Sequence, residues 1–427
     1  MSDPSGTEEQ GSATTDVQAP PESGSGTPNL PVTGDVGLTE YGRAWWQRVR
    51  AGELGNLPIV VGLLLIAVIF TSLNPRFLSP VNFVNLLVQT APLAVIAMGV
   101  VFVLLIAEVD LSVGYLSGVA AVALARLLDE ADWNVGAAIV AVLLIGVVAG
   151  LVQGYLVAKV GLPSLIGTLG GLVGFNGLVL ILISGRGTIR ITDAFIVGIS
   201  STFLTPAVGY ATVIAGSAGF GAVMLARRRR RESAGLPVTP VTILGLRVAL
   251  LVVLGGGAVY FASLSRGVPS VTLLLLGLLV VLTTVLLRTR FGRYLYAVGG
   301  NPEAARRAGV DLVKIRITAF VLSSTMACLG GILYASRLRS VDTGAGGGQI
   351  ELNAIAAAVI GGTSLFGGRG TTSAALFGAF VIIGVDNGMG LLGLSSGAKF
   401  VVTAIVLLAA VTVDSIARRG RERSGLA

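Results

Sequence analysis

The 427-residue chain contains no histidine, one cysteine, three lysines and little charge of either sign. Each scarcity removes a class of chemistry. Without histidine there is no Ser-His-Asp triad, no imidazole acid or base and no histidine metal site. The lone Cys328 can form neither an internal disulfide nor a thiolate zinc site, and in an apolar run it reads as a small buried hydrophobe. None of Lys159, Lys314 and Lys399 follows a glycine-rich phosphate loop, so ATP is not bound in the P-loop manner. "GAGGG" at 344–348, lacking a preceding strand and a lysine, reads as a turn. Charged residues make up 12% of the chain, about half the roughly 25% of a soluble domain. With 53% hydrophobic residues, this is a polytopic membrane protein.

The charge that exists is unevenly placed. Residues 1–42 hold seven acids and no base, which leaves 30 bases and 15 acids on the remainder. Those bases are scattered between apolar runs rather than gathered on one face, so topology explains them and no nucleic-acid partner is expected. Residues 1–42, rich in Ser, Gly, Pro and acids, read as a disordered cytoplasmic tail with no cleavable signal peptide. Residues 43–56, with Trp45 and Trp46 beside Arg43, Arg48 and Arg50, read as an interfacial amphipathic segment. A transmembrane domain over 57–416 and a basic cytoplasmic tail over 417–427 follow.

A helix needs about 20 apolar residues to cross about 30 Å of hydrocarbon. This template gives an all-α fold of about 12 spans, near 57–73, 85–107, 112–128, 136–158, 164–184, 207–226, 244–264, 269–288, 316–337, 350–362, 371–392 and 397–416. With both termini cytoplasmic, 22 of the 30 basic residues fall inside, as the positive-inside rule requires. The external loop 185–206 alternates through "TIRITDAFIVGI", which predicts a short strand or hairpin. The internal loop 289–315 is strongly basic.

Polar residues in apolar spans are costly and mark function. Candidates for a substrate path are Gln89, Asp110, Ser112, Asn176, Asn353, Thr363, Ser364, Asp386 and Asn387. Asp110 and Ser112, in "AEVDLSVG", are placed either to cap a broken helix or to take part in gating. Asp386 and Asn387 either line a hydrophilic path or satisfy each other across a helix interface. The glycine-rich runs at 161–177 and 358–378 suggest interrupted or re-entrant helices.

Between two spans lies "GRYLYAVGGNPEAARRAGVDLVKIR". Asn301 suits an N-cap, Pro302 the first helical position, Glu303 the positive end of the dipole and Gly309 the C-terminal cap. Two turns over 302–308 are predicted, too short to stand alone. With Arg306 and Arg307 exposed, the helix suits docking on a soluble cytoplasmic partner or rest on lipid headgroups.

The spacing of Glu303, Ala304, Ala305 and Gly309 resembles the cytoplasmic coupling motif of ATP-binding cassette (ABC) importer permeases, without the hydrophobic-proline ending that often follows it. Together with "RTRFGRYLYAVGGNPEAARRAGV", "AEVDLSVG", "VGLPSLIGTLG" and "AAVIGGTSLFGGRGT", it makes residues 57–416 resemble the monosaccharide (ribose, xylose, galactose) branch. Two additional spans at about 207–265, joined by "RRRRRESAGLPVTP", are similar to the longer xylose-type layout. The resemblance implies a plasma-membrane homodimer, cytoplasmic ATPase subunits that bind ATP-Mg, and an extracytoplasmic sugar-binding protein. It implies no cofactor and no catalysis on this chain. Residues 301–307 and Gly309 would couple to the ATPase. A permease for branched-chain amino acids or a nucleoside, an ion-coupled transporter and an intramembrane enzyme are the competing readings; the last needs clustered acids, histidine or a nucleophile, which the sequence does not place together.

Overall fold

The computed structural model describes residues 57–405 apart from residue 237, together with 408 and 412. The acidic tail, the interfacial segment, the basic tail and the end of the last expected span lie outside the described residues. Each of the twelve expected apolar segments is helical where it is described: α1 (Leu57–Leu73), α2 (Pro80–Leu105), α3 (Val113–Asp129), α4 (Val135–Tyr155), α5 (Ser164–Ile183), α7 (Pro206–Ser233), α8 (Val241–Ser263), α9 (Val271–Arg288), α12 (Leu312–Leu338), α13 (Ile350–Ile360), α14 (Thr372–Leu391) and α15 (Ser396–Ile405). Three shorter helices lie between them: α6 (Ala194–Ser201), α10 (Arg290–Gly300) and α11 (Pro302–Arg307). Among the described residues, eight helices are long and apolar enough to cross a membrane.

Local chemistry sets the helix starts. Ser79 accepts from Asn82 N–H at 3.3 Å ahead of Pro80 at the first helical position of α2. Asp311 accepts from Lys314 N–H at 3.1 Å and opens α12. That backbone bond, and then the Lys314 ammonium, hold the exposed Asp311 carboxyl below the usual carboxylate range.

The centre of the bundle is α12, enclosed by α2, α3 and α4. Hydrophobic attraction between helices is weak in lipid, so contact depends on small residues that let backbones approach. Gly146, Gly150 and Gly154 of α4 lie against Thr325, Val321 and Ile317 of α12, with a built Cβ meeting those Cα atoms at 2.9, 2.5 and 2.8 Å. The order shows α4 antiparallel to α12. Gly99 of α2 meets Met326 in the same way, and α2 buries every residue from Thr90 to Leu105, as befits a helix apolar all round.

Several sequence expectations need correction. The 289–315 segment is not a loop: α10 buries Gly292, Leu295 and Val298 along one face, and Thr289 caps it by accepting from Gly292 N–H at 3.2 Å. At the opposite end, only Thr188–Arg190 of the "TIRITDAFIVGI" stretch is extended; this β1 pairs antiparallel with β4 (Ser340–Asp342), far away in sequence. The apolar half of that alternation becomes α6, because Asp193 accepts from both Phe195 and Ile196 N–H at 2.9 Å and nucleates a helix. The glycine run 161–177 does not interrupt α5, which is continuous from Ser164; the break precedes it, at a π-turn (Leu156–Val160) and Gly161 with φ of 85°. Helix α13 has 11 residues, about 16 Å at 1.5 Å each, and cannot cross alone.

The two additional spans form a peripheral hairpin. Helices α7 and α8 pack mainly on each other, and along them only Gly209, Ser217, Ile243, Val259 and Ala262 are buried. The base closes where β2 (Phe203–Leu204) pairs with β3 (Val268–Pro269) and Arg266 Nη2 donates to Asn85 Oδ1 at 2.6 Å. Two outcomes follow. Gly150→Leu should cost about 1–3 kcal/mol by overpacking, seen as a lower unfolding temperature, while Gly216→Leu, whose Cβ site is empty, should be near neutral. Replacing residues 205–267 by an Asn-Gly turn should leave a monodisperse, folded protein by size-exclusion chromatography, because the cut ends are already paired.

Candidate functional site

Two spans are broken, and the breaks set the site. After α2 ends, the chain passes through Ala107 (φ 60°) and climbs back along the bundle before α3 begins at Val113. Asp110 is fully buried there. Its Oδ1 accepts from Ser112 N–H (3.1 Å) and Ser112 Oγ (2.6 Å), and its Oδ2 accepts from Ser323 Oγ of α12 (3.1 Å). Gln153 Nε2 of α4 donates to Ser112 Oγ at 2.8 Å. Capping is therefore replaced by a latch: Ser112 precedes α3 without a side-chain cap bond and spends its hydroxyl on Asp110. Ser323 stands 11 residues into α12, about 16 Å along its axis, so the latch and the start of α3 lie near mid-depth.

The second break mirrors the first. The turn around 343–349 enters the bundle and packs Gly346 (φ 79°) against Gly114 and Gly118 of α3. Helix α13 starts from that depth and runs to the 289–311 end, antiparallel to α14, against which Ala357 meets Gly378. Two half-helix N-termini thus meet mid-bundle, and Glu351 in the first turn of α13 lies buried between them with Oε2 against Gly114 and no hydrogen-bond partner. The positive ends of both helix dipoles favour its negative charge. Sequence reasoning passed over Glu351; the signal was an acid in the first turn of an apolar segment too short to span.

The first break and the turn that joins α13 to α14 converge with the basic helix α10. Gly368 N–H donates to Leu105 O at 2.9 Å, so one turn supplies the donor that the end of α2 lacks. Gly367 (φ 82°) adjoins Ala107 N and Gly299 O at 3.0 and 2.9 Å from a built Cβ. Gly299 of α10 in turn touches Leu105 O and Gly368 N so closely that no side chain fits. Tyr296 Oη donates to Gly370 O at 2.6 Å, and Glu108 Oε1 lies 3.5 Å from Arg316 Nε at the start of α12.

Beyond α10, α11 has the expected caps: Asn301 Oδ1 accepts from Ala304 N–H at 2.9 Å, Ala308 closes it one residue earlier than predicted, and Gly309 (φ 84°) follows. Ala305 is buried, Pro302 and Ala304 exposed. Arg306 and Arg307 fold back on Glu303 at 3.0 and 3.3 Å.

The remaining candidates are dispersed. Asn387 pairs with Asn82 of α2 (2.8 and 3.1 Å) and donates to Gln89 Oε1 (3.3 Å), which joins two helices. Asp386 lies 3.6 Å from Lys399 of α15. Gln89 opens on a polar cavity of about 220 Å³ bordered by Asn85, Ser200, Ser336, Arg266 and Arg337. Asn176 is half-buried on α5, next to Phe175 in an apolar groove of about 760 Å³ between α4 and α5. Asn353 is half-buried on α13; Thr363 is buried with its hydroxyl unpartnered, and Ser364 Oγ accepts from Phe366 N–H in the 361–371 turn. Asp110→Ala should strand Ser112 and Ser323 and cost about 1–3 kcal/mol, whereas Asp110→Asn, which still offers Oδ1, should cost less; thermal unfolding of the purified protein reads both.

The profile of the family described as "Branched-chain amino acid transport system / permease component" matches residues 82–411. The chain is 36% identical over 366 residues to the xylose transport system permease protein XylH of Escherichia coli (strain K12), covering 84% of this chain and 92% of that one. It is 34% identical over 370 residues to XylH of Haemophilus influenzae, covering 84% and 96%. It is 32% identical over 381 residues to the ribose import permease protein RbsC of Escherichia coli (strain K12), covering 88% and 98%. No solved structure matches the chain. With most of its length inside that profile and with these broken helices, the chain is a multi-pass plasma-membrane protein that belongs to the branched-chain amino acid transport system permease component family.

Proposed function

We propose that the chain is the permease subunit of an ABC importer that moves a pentose-type sugar, with xylose the expected substrate. The observation that carries this reading is the junction of Leu105, Gly299 and Gly368, where α10, which leads directly into the exposed α11, touches the end of α2 and the turn before α14. A force applied to α11 passes through α10 to that junction, and from there to the turns that precede α3 and α14. Partner ATPase subunits holding ATP-Mg would supply the force at Asn301–Arg307 and Gly309. Rigid-body rocking of helices around the junction would alternate access. In this reading the 289–311 end is cytoplasmic, a second copy of the chain completes the path, and an extracytoplasmic binding protein delivers the sugar.

A sugar is neutral, so its path requires hydrogen-bonding groups and no counter-ion. The Asn82–Gln89–Asn387 cluster, the half-buried Asn176 and the 361–371 turn offer such groups. The similarity to xylose and ribose permeases supports a pentose. The family description favours one alternative, a branched-chain amino acid. Uptake of labelled xylose, ribose and leucine in a deletion strain discriminates: xylose uptake should fall, and loss of leucine uptake with both sugars intact would overturn the sugar reading.

Coupling is tested separately. The Glu303 pairs with Arg306 and Arg307 are exposed, and such pairs contribute about 0–1 kcal/mol. Glu303→Arg should therefore leave the permease folded but abolish co-purification with the ATPase. Tyr296→Phe, which deletes only the bond to Gly370 O, should keep co-purification and lower transport per ATP hydrolysed.

A further inference from the structure

The peripheral hairpin takes no part in the junction, yet it carries the densest charge in the described chain. Residues 206–226 of α7 are uncharged, a stretch of about 31 Å at 1.5 Å per residue, which matches the hydrocarbon thickness of about 30 Å. Arg227–Arg231 follow directly. Consecutive helical residues are about 100° apart, so the five guanidinium groups surround the helix instead of facing one side. Four of them, Arg227, Arg229, Arg230 and Arg231, are exposed; Arg228 donates to Thr239 O and closes the loop to α8.

The depth of this cluster is set from both ends. At the opposite end, Tyr210 and the exposed Tyr260 lie at one level, because Gly209 packs on Val259; paired tyrosines of this kind mark a membrane interface. Between the two levels, Ile214, Val223, Leu246, Leu250 and Val253 point outward. Arg247 of α8, next to Val248 which packs on Gly221, adds a cation on the arginine side; a guanidinium there can reach the interface along its aliphatic stem. These outward apolar side chains suit a lipid surround, which would set the arginines at headgroup depth.

We propose that Arg227–Arg231 form a binding surface for anionic phospholipid headgroups, making the inserted hairpin a lipid-holding appendage of the permease. Charge complementarity with lipid phosphates, exposure on all sides of a lipid-ringed helix, and separation from α10 and α11 favour lipid over a protein partner. Guanidinium groups also suit phosphate through bidentate bonds.

The test uses full-length protein purified from nanodiscs of phosphatidylcholine with a minor fraction of phosphatidylglycerol, with retained lipid counted by mass spectrometry. The variant R227Q/R229Q/R230Q/R231Q should retain at least about fivefold less phosphatidylglycerol, with phosphatidylcholine unchanged. The matching Lys variant preserves the charge that orients the hairpin and should retain most of it, and raising salt should release it from native protein. Loss in the Gln variant alone supports the proposal. Equal loss in both variants, or in neither, overturns it, as does a Gln variant that keeps phosphatidylglycerol but no longer binds a cytoplasmic protein. R230Q/R231Q, at the helix end, repeats the measurement with less risk to insertion.

Discussion

A hydrocarbon interior offers no water to an unpaired amide or carbonyl, so each place where a helix breaks must be repaired by protein. That constraint organises this molecule. The end of α2 is completed by Gly368 N–H from the turn between α13 and α14, and the turn before α3 is held by Asp110, Ser112, Gln153 and Ser323. Neither broken span is stable without elements far away in sequence. A displacement of the turn between α13 and α14 therefore alters the hydrogen bonding at the end of α2.

The same scarcity of driving force explains the glycines. Where lipid solvates side chains as well as protein does, helices hold together by close backbone approach, and α12 is approached by Gly146, Gly150, Gly154 and Gly99. The resulting core is stiff around α12 and α2. At its 289–311 end the contacts change character: backbone touches backbone at Gly299 and Gly368, and Tyr296 reaches Gly370 O through one hydroxyl. Contacts of this kind transmit displacement but can re-form after a shift, unlike the interdigitated core. The peripheral hairpin differs from both, since it rests on the body through β2, β3, Arg266 and Phe261 against Phe83.

Much was legible in the sequence because membrane spans are written as uninterrupted apolar runs. All twelve segments, where described, and the cap at Asn301 could be read locally, since span length and capping depend on neighbours in the chain. The alternation before α6 misled because an Asp193 cap outweighs a few residues of strand pattern. Helix α10 was hidden by its arginines, and its buried Gly292, Leu295 and Val298 acquire meaning only when a body lies above them.

The sequence by itself determined that this is an α-helical membrane protein, where its long apolar helices lie, and that a short capped helix stands at Pro302–Arg307. These follow from hydrophobicity and capping, which act over a few residues. Tertiary structure alone decided that Asn387 joins α14 to α2, that Asp110 latches onto α12 instead of capping α3, and that Glu351 lies between two half-helix ends. It also decided that Gly299 of α10, the end of α2 and the 361–371 turn meet at one point. Each of these joins residues tens to hundreds of positions apart, and a pairing at that distance is chosen by the packing of whole helices, which no local pattern encodes.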